Sequence, residues 1–112
     1  MANLLIHDDT VTVELTALEK AESLHGNVTV PRSAIISASA VPDGMAEVPG
    51  LRLAGAGFPG VIKVGLWVGG GVKTFAVCHG AKPAVVLQLT GQHFDRIVAT
   101  VDNPEDAVAT LS

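Results

Sequence analysis

The chain has 112 residues, 48% of them apolar and 16% charged, with a net charge of −4, which is the size and make-up of one globular domain spanning residues 1–112. Its seven cations (Lys20, Arg32, Arg52, Lys63, Lys73, Lys82, Arg96) stand singly, so no basic run exists to neutralise a nucleic-acid backbone or an anionic bilayer. The single cysteine, Cys78, excludes an internal disulfide framework and fits a reducing, cytoplasmic compartment.

The N-terminus, "MANLLIHDDTV", has three adjacent large apolar residues and no basic lead, so no signal peptide is expected. "TVTVEL" (Thr10 to Leu15) then alternates, with Val11, Val13 and Leu15 on one face and Thr10, Thr12 and Glu14 on the other, as a half-buried strand does. "TALEKAESLHG" has Leu18, Ala21 and Leu24 at helical spacing, which predicts a short helix over 17–24 with Gly26 placed to end it. Shorter strand candidates follow at 28–30, 35–41 and 51–56.

"VIKVGLWV" (Val61 to Val68) sets Ile62, Val64, Leu66 and Val68 on one side and Lys63, Gly65 and Trp67 on the other. It belongs to the longest apolar stretch, Val61 to Val72, which Lys63 and several glycines interrupt; that is too short and broken to span a membrane. A further strand is expected over 72–78. "AVVLQLT" offers Val85, Leu87 and Leu89 inward, and "RIVATV" sets Ile97, Ala99 and Val101 against Arg96, Val98 and Thr100. Turn signals separate the strands: Pro42-Asp-Gly44, Pro49-Gly50, Pro59-Gly60, Gly69-Gly-Gly71, His79-Gly80 and Gly91. The chain closes on "DNPEDAVATLS", where Asn103 is a fitting N-cap and Pro104 suits the first helical position. Glu105 and Asp106 then meet the positive end of the helix dipole. A helix over 104–111 is predicted, docking Ala107, Val108 and Leu111 on the sheet. Short strands at roughly ten-residue spacing predict an antiparallel sandwich or barrel.

The segment "GAGFPG" (Gly55 to Gly60) spells G-x-G-x-x-G. A dinucleotide fingerprint needs a parallel strand before those glycines and a helix after them. Here a strand pattern follows Gly60, Pro59 interrupts the motif, and Lys82-Pro83 stand where an acidic residue is required. The segment therefore reads as a glycine-rich turn between two strands with bent ends.

Chemistry-bearing groups are sparse. His7, His25, His79 and His93 show no metal-ligand spacing, and Cys78 and His79 point to opposite faces of one strand. Only a site assembled from distant loops would bring such ligands together. Asp8-Asp9 and Glu105-Asp106 serve a turn and a helix start rather than acid–base work. No catalytic residue, metal or cofactor is assigned, and no enzyme is expected. Arg32, Arg52 and His25 are the candidates for a polar pocket. Trp67, opposite the Ile62/Leu66 side, reads either as an exposed interface anchor or as cover for the sheet edge or a second small core.

Three stretches carry a family resemblance: "LHGNVTVPRSAI" from Leu24, "GAGFPGVIKVG" from Gly55, and the ending "FDRIVATVDNPEDAVATL". Together with the element order they resemble the small pleckstrin-homology-like (PH-like) domains of actinobacteria. The resemblance implies a mainly β fold, a bent antiparallel barrel of about seven strands capped by the C-terminal helix. It also implies a non-enzymatic, often self-assembling domain. Phosphoinositide-binding members carry a basic pair around the first hairpin, whereas Glu14, Glu19 and Glu22 here face a lone Lys20; headgroup binding is not expected. The function expected is a cytoplasmic scaffold or binding module that forms homo-oligomers and mediates protein–protein contact, with Trp67, Phe58, Phe75, Arg52 and Arg32 as candidate interface residues. The alternative is a small-ligand or lipid-binding domain with a pocket at the barrel end or the Gly55–Gly60 loop. Neither nucleic acid nor integral membrane association is expected.

Overall fold

A computed structural model describes residues 2–23, 25–58 and 60–111. Its described residues form nine strands: β1 (Asn3–Ile6), β2 (Thr10–Glu14), β3 (Val28–Pro31), β4 (Ile35–Val41), β5 (Leu51–Phe58), β6 (Ile62–Gly69), β7 (Val72–His79), β8 (Ala84–Leu89) and β9 (Arg96–Thr100). Two α-helices, α1 (Ala17–Ser23) and α2 (Pro104–Leu111), and two single 3-10 turns, Arg32–Ala34 and Met45–Glu47, complete the mainly β domain. One sheet has the order β1-β2-β3 and the other β4-β8-β9-β7-β6-β5. All pairings are antiparallel except β7 with β9. That parallel pair corrects the purely antiparallel expectation: β8 crosses over and leaves one strand's width, which β9 fills between β8 and β7.

The larger core lies between the sheets. Val11, Val13, Val28 and Val30 of the small sheet meet Phe75, Val77, Val85, Leu87, Ile97 and Ala99 of the large one. These are the inward positions the two-residue period marks, and burying each such side chain is worth about 1.5–3 kcal/mol. A second cluster occupies the opposite face of the large sheet, where Met45 and Val48 cover Trp67, Ala76, Cys78, Ala84, Val86 and Val98. Strands β7 to β9 are therefore covered on both faces, not half-buried, because segment 42–50 folds across their back. Central strands so enclosed carry apolar residues at successive positions, as in "FAVC" and "AVVL".

Helix α1 is held by its cap. The Thr16 Oγ1 accepts the Glu19 N–H at 3.2 Å and the Glu19 Oε1 accepts the Thr16 N–H at 2.8 Å, a reciprocal capping box. The face it buries corrects the expected stripe. Leu18 is 67% exposed and Ala21 is exposed, whereas Glu19 and Ser23 are buried; Leu24 lies outside the described residues. Polar partners decide the orientation: the Glu19 carboxylate reaches His79 on β7, and the Ser23 Oγ accepts the His25 N–H at 3.1 Å. The helix ends at Ser23, and Gly26 is not among the positive-φ glycines. Helix α2 begins with Pro104, carries Glu105 and Asp106 in its first turn, and rests Ala107, Val108 and Leu111 on the larger core, as expected.

Candidate functional site

The face of β5 and β6 turned toward segment 42–50 is built from three cross-strand pairs: Arg52 with Trp67, Gly55 with Gly65, and Gly57 with Lys63. Paired residues of an antiparallel ladder project to the same side, so glycine dominates the floor. Gly55 (φ +103°) and Gly65 (φ +140°) are required by the backbone, since a Cβ on Gly55 would sit 2.1 Å from the Val64 oxygen and one on Gly65 2.2 Å from the Ala54 oxygen. Gly57 is crowded by side chains rather than by backbone. A Cβ there would lie 3.1 Å from the Trp67 ring and 3.7 Å from the Arg52 Nη1, so indole and guanidinium both border that bare position.

Above this floor is an open groove of about 730 Å³, lined by Asp43, Met45, Ala46, Arg52, Gly57, Phe58, Gly60, Ile62, Lys63, Trp67 and Ala81. The Lys63 Nζ donates to the Val48 carbonyl at 2.5 Å and to the Met45 carbonyl at 3.3 Å, pinning segment 42–50 to β6. The Asp43 Oδ1 accepts the Met45 N–H at 3.0 Å, shaping the turn that enters this segment. Arg52 is in neither ion pair formed among the described residues, Glu19–His79 and Glu47–Arg96. Its guanidinium is free of protein partners there.

Beside the groove, β5 ends the large sheet. Its ladder slips at Arg52/Ala54, leaving Leu53 without a counterpart on β6. Leu51, Leu53 and Phe58 are 79%, 60% and 63% exposed. An unpaired eight-residue edge with such side chains and a single charge is an open template for another strand.

The five expected interface residues separate. Phe58 and Arg52 stand at the groove and the β5 edge. Trp67 is no exposed anchor: it is 4% exposed, because Met45 and Val48 pack on it, and it reaches the groove as a wall. Phe75 is fully buried in the larger core, its ring centroid 5.2 Å from that of Phe94 and tilted to it by 31°, and can present nothing to a partner. Arg32 is a structural tie, donating to the Thr110 carbonyl at 2.7 Å and the His7 carbonyl at 3.4 Å. The proposed polar trio also disperses: His25 lies against Phe75 and Phe94 and Arg32 at the end of α2, leaving Arg52 alone in the groove. Lys63, Met45 and Asp43 went unmarked; the shared face of Lys63 and Trp67 was the available signal.

Burial pushes the Cys78 thiol up to about 12, although nearby Lys63 opposes the shift, so this cysteine is no nucleophile at neutral pH. Among the described residues no cluster of His, Cys, Asp or Glu could hold a metal ion, and no helix is long and apolar enough to cross a membrane. No family model matches the chain, and no curated protein or solved structure does either.

Proposed function

We propose that this chain is a non-enzymatic, PH-like scaffold module of the cytoplasm that self-associates and mediates protein–protein contact through the β5 edge. The observation that carries this reading is the unpaired β5 with Leu51, Leu53 and Phe58 outward. Two copies pairing β5 with β5 would satisfy the free backbone groups of both edges and cover the three apolar side chains. An isologous contact of this kind closes as a dimer. Each end strand of the large sheet has a helix against it, α2 on β4 and α1 on β5; β5 is favoured because it carries three exposed large apolar side chains where β4 carries Ile36 alone.

Light scattering after size exclusion tests the reading. The wild type is expected to run as a dimer or larger assembly at micromolar concentration. The double variant Leu51→Lys/Leu53→Lys should run as a folded monomer, since inserted lysines are how natural edges avoid pairing. A wild-type monomer, or an assembly indifferent to both lysines, contradicts the reading.

A further inference from the structure

We propose that the groove between β5, β6 and segment 42–50 binds a small organic anion, its flat apolar body over Gly57 against Trp67 and its carboxylate or sulfonate on Arg52. This goes beyond the scaffold reading and rests on different observations.

The first is size and shape. A volume of about 730 Å³ falls inside the roughly 300–1,000 Å³ of ordinary small-molecule sites. The floor is bare at Gly57, where a Cβ would crowd the indole, so the groove accepts something thin lying along an aromatic wall. The second is charge. The chain as a whole is acidic, yet Arg52 and Lys63 line this groove against Asp43 alone. Asp43 already accepts the Met45 N–H, and among the described residues Lys63 pairs with no carboxylate and is held by two carbonyls. Arg52 brings a free fork of N–H donors whose geometry matches a carboxylate or sulfonate. The third is what is missing for larger anions. A nucleotide needs several donors converging on its phosphates, usually at a helix N-terminus; the groove is bordered by strands and a single 3-10 turn, Met45–Glu47, and among the described residues offers one free guanidinium. One flat anion with one charge fits that inventory.

Trp67 is the only tryptophan and the chain has no tyrosine, so intrinsic fluorescence reads the groove wall directly. The probe is 8-anilinonaphthalene-1-sulfonate, with N-phenyl-1-naphthylamine as its uncharged counterpart. The sulfonate is expected to quench Trp67 saturably at one molecule per chain. Arg52→Gln should raise its Kd by about tenfold or more, the usual scale for losing a hydrogen bond to a charged group, while leaving the uncharged amine's Kd nearly unchanged. Gly57→Leu should abolish saturable quenching by both probes, with the far-ultraviolet circular dichroism of a folded chain; if that variant does not fold, Arg52→Gln decides alone. The same titration in the Leu51→Lys/Leu53→Lys protein should give the wild-type Kd, because neither leucine lines the groove. Non-saturating quenching, a Kd indifferent to Arg52→Gln, or binding lost with the edge lysines would overturn the assignment. The first two outcomes mean general apolar adsorption and the third a site formed only between copies, and none of them bears on whether the chain self-associates.

Discussion

Glu19 shows how one side chain can serve two purposes. Its Oε1 closes the cap of α1 on the Thr16 N–H, and its Oε2 lies 2.6 Å from the His79 Nε2 across 60 positions of chain. Burial alone would push its carboxyl up, but the Thr16 N–H and the His79 ring outweigh burial and hold it below the ordinary value of 4.5. A carboxyl lowered by folding contributes stability that is complete above the unfolded value and is lost as pH falls through the folded one. Urea unfolding should therefore show stability dropping on acidification below about pH 4.5, and Glu19→Gln should flatten that limb. His79→Ala should cost about 2 kcal/mol at neutral pH, because it leaves a buried carboxylate short of a partner. The glycines divide in the same way. Gly55→Ala places a Cβ against backbone at positive φ and should cost about 3 kcal/mol, the size associated with strained backbone and overpacking. Gly57→Ala meets only the edge of an indole and should cost under about 1.5 kcal/mol. Chemical denaturation of the pair checks the difference, and equal losses would contradict it.

Among the elements, those with a clean two-residue period were legible. β4 occupies the expected 35–41, β2, β6, β8 and β9 lie within a residue or two of expectation, and α2 spans the expected 104–111. β1 is not, because "NLLI" is one polar residue and three consecutive apolar ones with no alternation to read. The α1 segment was found, but its buried face was misjudged: an apolar stripe at Leu18 and Ala21 lost to the Glu19–His79 bond, which no spacing within the helix announces. The T-x-x-E signature at Thr16 was nevertheless present. Thr16→Ala should destabilise the chain by about 1 kcal/mol and be read as a shifted urea midpoint with unchanged slope. Trp67 was placed on the correct side of β6, opposite Leu66. What covers that side, segment 42–50, is irregular and has no period, so the burial of the indole and the groove beside it could not be foreseen. Phe75 is buried by the small sheet; β2 and β3 are legible one by one, but nothing in their spacing says which strand of the large sheet they cover.

At the scale of the whole molecule, the large sheet ends in two edge strands, β4 and β5. The small sheet and α2 cover its front, segment 42–50 covers the back of β7 to β9, and α2 packs on β4 and α1 on β5. Of the two edges, β5 combines an unpaired ladder with the larger exposed apolar set, Leu51, Leu53 and Phe58. The central claim is that a second copy pairs there, and amide hydrogen exchange at several protein concentrations tests it most directly, because exchange reads the ladder hydrogen bonds themselves. Exchange in residues 51–58 should slow as concentration rises through the assembly transition, while that of β4 stays constant. Exchange of β5 that is the same in monomer and assembly, or slowing confined to another edge, would contradict the claim.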